Sequence, residues 1–392
     1  MIKKIKVVLL ITVLALGCKK AFFPKAITSD KNHYLVIEGV INNGTDSTII
    51  KLSRTQKIDT LHTINAETGA TVIVESNAGT SFELSERIAG TYVAGPTALD
   101  GSHKYRLHIK TADHKEYVSD YIAVKNAPPI DSVGFLAQSN GVQVYVNSHD
   151  ATNNTRYYRW DFQETWQFHS AYRSGIYSNG IDSLKPRLVI NQVYDCFAGK
   201  ASSTVGIAST TKLAQDVVYQ APITLIPPTS EKIETKYSIL VKQYALSSDA
   251  YAFWLNLQNN TEKLGSIFDV LPSDNASNYH CVSNPTELVV GYLSVGATTT
   301  KRIFITADQL LKSYSPVYPC ACQLDTAFEN PPHKNTLPIG DLIPPNSPYE
   351  PVSALYLPPP NPFGKPTAYT YSIILCVDCT VRGTRAAPPF WK

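Results

Sequence analysis

The sequence predicts a mostly β protein: an N-terminal Ig-like β-sandwich, then a larger β-rich domain with one helix at about 248–264, then a proline-rich, cysteine-pinned C-terminal segment. Three observations predict it. From Tyr34 onward apolar residues recur with a period of two, as strands require. Turn formers such as Asn77-Ala78-Gly79 and Asp100-Gly101 punctuate the runs at short intervals. Helical spacing is sustained in one stretch only, which excludes a sheet built from βαβ units.

Residues 1–17 read as a signal peptide. Lys3, Lys4 and Lys6 form a basic start, and Val7 to Leu16 is apolar except for Thr12. As a helix that run spans ~15 Å, half of a bilayer core, so it fits an export signal and not a membrane span. Leu14-Ala15-Leu16-Gly17-Cys18 resembles the lipobox at which bacterial lipoprotein signals are cut. Cys18 is therefore the candidate lipidation site, an N-terminus carrying acyl chains such as palmitate, each held by about 0.8 kcal/mol per buried CH₂. Residues 18–33 follow as a tether that reaches roughly 50 Å when extended.

The 392 residues hold 35 Lys+Arg against 32 Asp+Glu, and loss of the three leader lysines balances the charge. A nucleic-acid binder should show a basic excess, so no nucleic-acid partner is expected.

Residues 34–127 form the first expected domain. Leu35, Ile37 and Ile41 alternate with Val36, Glu38 and Val40, both sets largely apolar, so this strand should be covered on both faces. Strands follow at Ser47–Ser53, Thr71–Glu75, Ser81–Leu84, Tyr105–Lys110 and Glu116–Val124. That many short strands in under a hundred residues suit an Ig-like sandwich. Pro128-Pro129 closes the unit, because proline cannot donate to a ladder.

Residues 128–310 form the second expected domain, with strands at Val142–Val146, Tyr157–Phe168, Arg187–Val193, Tyr237–Leu246, Glu287–Val295 and Arg302–Thr306. Ser248 is the candidate N-cap of the helix, whose apolar face runs through Ala250, Phe253, Trp254, Leu257 and Leu264 to a stop at Gly265. Residues 311–392 should cover this domain. Half of the 26 prolines fall within 319–366, which predicts irregular backbone there, and Tyr369–Leu375 reads as a final strand. The terminal Phe390-Trp391 should dock on a core.

Without Cys18, six cysteines remain: Cys196, Cys281, Cys320, Cys322, Cys376 and Cys379. An even set in an exported chain reads as up to three disulfides. The pairing expected is Cys196 with Cys281, and the Cys320/Cys322 pair with the Cys376/Cys379 pair. The rival is a four-cysteine zinc site on those last four, although Cys320-x-Cys322 is one residue short of the usual spacing.

The stretch Tyr157 to Phe168 invites a glycosidase reading with Asp161 and Glu164 as the two carboxylates. The period opposes it: Tyr158, Trp160, Phe162, Glu164, Trp166 and Phe168 share one face, and Asp161 lies on the other. A core strand is the simpler reading, with Glu164 as a buried acid satisfied by an arginine or by backbone N–H groups. Lys301-Arg302 is either a solvated strand start or a partner for Glu164. The nine histidines make no metal pair, and His280 beside Cys281 reads as part of a disulfide region, not as a nucleophile site. No phosphate-binding glycine motif or G-x-S-x-G is present, so neither a catalytic set, a cofactor nor a metal is expected.

On these residues the chain resembles the bacterial lipoproteins of domain-of-unknown-function 4249, from Bacteroidetes-type envelopes. The matching pieces include Leu35-Val-Ile-Glu-Gly39, Gly69-Ala-Thr-Val72, Pro129-Ile-Asp-Ser-Val133, Tyr157–Phe168 and Tyr237-Ser-Ile-Leu-Val-Lys-Gln-Tyr244. Gly265-Ser-Ile-Phe-Asp269, Lys301-Arg-Ile-Phe-Ile305, Cys376-x-x-Cys379 and the Pro-Phe-Trp end complete the set. The resemblance implies no assigned activity and a role as companion of an outer-membrane TonB-dependent transporter; a neighbouring lipoprotein is the other partner expected. Surface-exported members usually carry acids after the lipidated cysteine. Lys19 and Lys20 stand there instead, which favours an outer-membrane anchor facing the periplasm. The expected function is thus a lipid-anchored binding or accessory module of unknown ligand. The alternatives are an envelope hydrolase, for instance glycan-acting, that uses acids such as Glu164 or Asp195, and an adhesin or structural envelope protein.

Overall fold

The computed structural model describes residues 33–56, 64–178, 184–262, 277–318, 320–329, 338–344, 346–356 and 366–391. The leader, Cys18 and nearly all of the tether lie outside these residues, as do Leu264 and Gly265. The fold is mostly β, as expected.

The first unit is one long sheet that folds over its own core. Leu35–Ile41 pairs antiparallel with Thr48–Arg54, which pairs with Thr91–Ala94. Ser81–Ile88 carries the sheet from one layer to the other: its first half pairs with Thr71–Ser76 and its second half with Thr91–Ala94. Lys104–Lys110 and Glu116–Ser119 complete the second layer. Between the layers lie Leu35, Ile37, Ile50, Leu52, Val72, Val74, Leu107 and Ile109, all buried. The first strand differs from expectation. Leu35, Ile37 and Ile41 are buried, but Glu38 is exposed and Val36 and Val40 are half-buried, so only one face is fully covered.

A larger difference concerns the segment after the helix. Tyr279–Cys281 pairs with Glu116–Ser119, and Val289–Val290 and Ser294–Val295 run parallel to Leu35–Ile41. Residues assigned by sequence to the second domain thus close both edges of the first sheet. The reason is apolar: Tyr279, Cys281, Val289, Leu293 and Val295 are buried in the first core, and an unpaired edge strand is an open template for aggregation. The approach is close. Gly291 has φ +139°, and a Cβ there would lie 2.2 Å from the carbonyl oxygen of Ile37.

The second unit is a sandwich of two sheets. One holds Ile130–Gln138, Gly141–His149 and Val217–Ile226. The other runs Asp195–Ala201, Tyr157–His169, Lys236–Ala245 and Thr299–Thr306, with Gly206–Ser209 on the first half of Tyr157–His169. Val133, Val144, Trp160, Phe162, Ile239 and Val241 fill the space between them. The helix Ser248–Glu262 lies against the long strand, with Tyr251 on Tyr157 at 4.9 Å. Its cap is one residue earlier than expected: Ser247 Oγ accepts from the Ala250 N–H at 3.1 Å.

The C-terminal cover is more regular than its prolines suggest. Asp325–Phe328 and Tyr349–Leu355 flank Ala368–Ile373 in a three-stranded sheet. Pro351 is accommodated because it sits at a register shift on an outer strand, where no ladder donor is needed. The final strand ends at Ile373, and Ile374–Val377 is a helical turn. Trp391 docks as expected, between Phe197 and Phe304 at 5.2 and 5.6 Å.

Candidate functional site

Four places collect the residues that could carry function. The first is the aromatic strand. Its alternation holds from Tyr158 to Phe168, with Glu164 buried among the aromatic side chains. Glu164 accepts from Lys232 Nζ at 2.6 Å and from the Tyr237 hydroxyl at 2.8 Å. The expected arginine or backbone partner is therefore replaced by a lysine and a phenol. Lys232 also sits over the Trp166 ring at 5.2 Å. Burial, reinforced by the adjacent carboxylate, pushes the Tyr237 hydroxyl far above its ordinary range and keeps it a donor. Lys301 instead bonds the Asp131 carbonyl at 2.6 Å, and Arg302 bonds Ser238 Oγ and stacks on Phe390.

The acids of the hydrolase reading do not converge. Asp161, on the opposite face, pairs with Arg159 at 3.1 Å, and that guanidinium lies 4.1 Å from both the Tyr244 and Trp254 rings. Asp195 faces His169 in the ladder, five residues along the strand from Glu164, and pairs with Arg173 at 3.8 Å.

The second place is the set of thiols. Two disulfides are formed, Cys196–Cys379 and Cys322–Cys376. The expected Cys196–Cys281 bridge is not formed, because Cys281 is carried off with the returning segment and is buried, as a free thiol, in the other core. Cys320 is free and half-buried, with its sulfur 3.0 Å from Cys376 Sγ and 3.7 Å from Cys322 Sγ. The four-cysteine zinc reading loses Cys379 to one disulfide and Cys322 and Cys376 to the other, although the sulfurs of Cys320, Cys322 and Cys376 lie within 4.8 Å of one another. Cys18 lies outside the described residues.

The third place is a cleft of about 750 Å³ at the end of the first unit where the chain enters, lined by His33, Tyr34, Arg54, Glu67, Lys115 and Glu287 among others. Its charges satisfy one another. Arg54 pairs with Glu67 at 2.6 Å, and Lys115 with Glu287 at 2.7 Å. Tyr117 donates to Glu287 at 2.6 Å. Burial works to raise the Glu287 carboxyl. The bonds from Lys115 and Tyr117 and the charge of Arg54 outweigh it and hold the group below its usual range. The cleft is therefore a charge clamp that fastens the returning segment.

The fourth place was misread in sequence as the strand Arg187–Val193. Residues Val189–Asn191 form a 3₁₀ turn instead. Leu188, Val189 and Ile190 stand 60, 88 and 74% exposed. Arg385 donates to the Ile190 carbonyl, and a shallow depression of about 580 Å³ lies along Thr380, Gly383, Thr384 and Arg385. Thr384 exchanges backbone bonds with Phe197, and Cys379 is bridged to Cys196, so this face is braced covalently and by hydrogen bonds. The only sequence signal was that Leu188-Val189-Ile190 does not alternate, a pattern shared by buried strands and exposed apolar turns. By contrast, the exposed outer strand Val217–Ile226 is guarded against pairing by Pro222 and two register shifts.

Among the described residues no helix is long and apolar enough to cross a membrane. A family model described as a domain of unknown function, DUF4249, matches residues 20–302. No curated protein matches the chain.

Proposed function

The chain belongs to the DUF4249 family, and from that premise we propose that it is a lipid-anchored cell-envelope protein serving as a binding or accessory module. Its partner in this reading is an outer-membrane TonB-dependent transporter or a neighbouring lipoprotein. The observation that carries the reading is the exposed tip Leu188-Val189-Ile190 on a braced face. Burial of such side chains against a partner is worth roughly 1.5–3 kcal/mol each, and an apolar patch held out on a rigid support marks an interaction site. The leader ending at Gly17-Cys18 supports the anchor, and two disulfides fit an oxidising compartment. Lys19 and Lys20 favour the periplasmic face of the outer membrane. The reading assigns no chemical step.

The test is affinity purification from detergent-solubilised envelopes, with wild type beside Val189→Glu, together with palmitate labelling of wild type and Cys18→Ser. A transporter or lipoprotein that co-purifies with wild type and is lost from Val189→Glu supports the reading. A solitary wild-type protein, or one that takes no palmitate, overturns it. Protease shaving of intact cells reports the face: protection supports a periplasmic orientation.

A further inference from the structure

Three sulfurs meet where the cover joins the second unit, and only two of them can share a bond. Cys376 is fully buried on the helical turn Ile374–Val377. Cys320 and Cys322 are both half-buried and stand two residues apart, with their sulfurs 3.7 Å from one another. Cys322 holds the bridge to Cys376, and Cys320 Sγ waits 3.0 Å from the same Cys376 sulfur.

We propose that Cys320, Cys322 and Cys376 form a thiol–disulfide exchange site. The Cys320 thiolate attacks Cys376 Sγ, a Cys320–Cys376 bond forms, the Cys322–Cys376 bond breaks, and Cys322 leaves as the thiolate. One S–S bond is made for the one lost. The proton given up by Cys320 is taken up by Cys322, and no external oxidant or reductant enters. The nucleophile is the thiolate, and the rate depends on its access to the sulfur attacked. The free sulfur now meets the bridge from the side, so exchange requires the Cys320 side chain to swing into line with the bond.

The surroundings tolerate either bridge. The backbone on both sides is held independently of the sulfurs: the Tyr172 hydroxyl donates to the Cys322 carbonyl at 3.1 Å, and the Tyr172 N–H to the Cys376 carbonyl at 3.0 Å. Ser372 Oγ donates to the Gln323 carbonyl at 2.5 Å. The site thus keeps one half-exposed thiol available in each state, at position 320 or at position 322, without releasing the cover.

The experiment is non-reducing peptide mapping of the full purified chain after incubation at pH 8, with rapid acidification to remove the attacking thiolate before alkylation. Wild type is expected to give both Cys322–Cys376 and Cys320–Cys376 peptides. Cys322→Ser should carry the Cys320–Cys376 bridge and melt within about 2 °C of wild type, whereas Cys376→Ser should lose about 5 °C or more. A wild type that yields only Cys322–Cys376, with Cys320 fully alkylated, overturns the proposal, as does one zinc per chain with all three thiols free. The wild-type map needs no variant to fold. A Cys322→Ser protein with Cys320 and Cys376 both alkylated also overturns it.

Discussion

The hydroxyl of Tyr117 donates to Glu287 Oε1 at 2.6 Å across a separation of 170 residues. The bond joins a strand of the first sheet to the segment that returns to it after the helix. Arg54 lies 3.7 Å from the same carboxylate oxygen and its ring contact with Tyr117 is 5.9 Å, so the fastening is a network and not a single pair.

Glu287→Gln should therefore cost about 1–2 kcal/mol at pH 7, since a charge-assisted bond is roughly twice as strong as a neutral one. The sign of the pH dependence follows from the depressed carboxyl. A group that binds its proton less readily when folded adds stability above its unfolded value, near 4.3, and loses it as the pH falls through the lower folded value. Urea unfolding at pH 7 and pH 3 should show the gap between wild type and Glu287→Gln shrink at the lower pH. A gap that stays constant would remove Glu287 from the clamp.

Glu164→Ala should cost more, about 2–4 kcal/mol, because it leaves the Tyr237 hydroxyl without its acceptor inside an aromatic core and the half-buried Lys232 without its partner. The double variant Glu164→Leu with Lys232→Met should recover most of the loss, since replacing a whole buried pair by apolar groups of like size is often neutral. Denaturation midpoints of the three proteins check this. Equal stability of Glu164→Ala and wild type would contradict the buried network.

The alternation of Tyr157–His169 was legible in sequence because burial on a strand follows a period of two, and Glu164 stood out as the acid on the wrong face. Its partner was not legible: Lys232 lies 68 residues away on a 3₁₀ turn, and no local pattern couples the two. The same holds for Cys281. It stands opposite Tyr117 in the sheet, and sequence adjacency to His280, which itself bonds Asp120 160 residues away, said nothing of that return. The pairing of Cys196 with Cys379 depends on where the terminal segment docks, and that is set by Phe197, Thr384 and Trp391 packing late in the chain. Leu188-Val189-Ile190 differs for another reason: Val189 and Ile190 are β-branched and favour strands, and only the tertiary frame shows a turn whose three side chains stand exposed.

Loss of the Cys196–Cys379 bridge should loosen the terminus before it unfolds the core. The bridge closes a separation of 183 residues, for which the chain-entropy account gives roughly 5 kcal/mol as an upper figure. Phe197 and Phe304 hold Trp391 independently, so Cys379→Ser should still fold. The expected result is a lower unfolding midpoint and cleavage after Arg382 or Arg385 by trypsin at a rate at least tenfold above wild type. Unchanged proteolysis would mean that the packing of Trp391 alone fixes the segment.

Gly291→Ala tests whether the returning segment is part of the first unit or merely lies on it. The residue sits at φ +139°, where a side chain is strained, and its Cβ would be driven to 2.2 Å from the Ile37 carbonyl oxygen. Backbone cannot yield there without parting Val289–Val290 and Ser294–Val295 from Leu35–Ile41. Strain at such a position costs on the order of 1–3 kcal/mol, and parting the strands would expose Val289, Leu293 and Val295 besides. The variant should therefore unlock Cys281, whose buried thiol is shielded by the same segment. Native-state alkylation of Cys281 is the measurement: slow in wild type, and faster by at least tenfold in Gly291→Ala. If alkylation of Cys281 is equally slow in both, the edge strands are not what closes the first core.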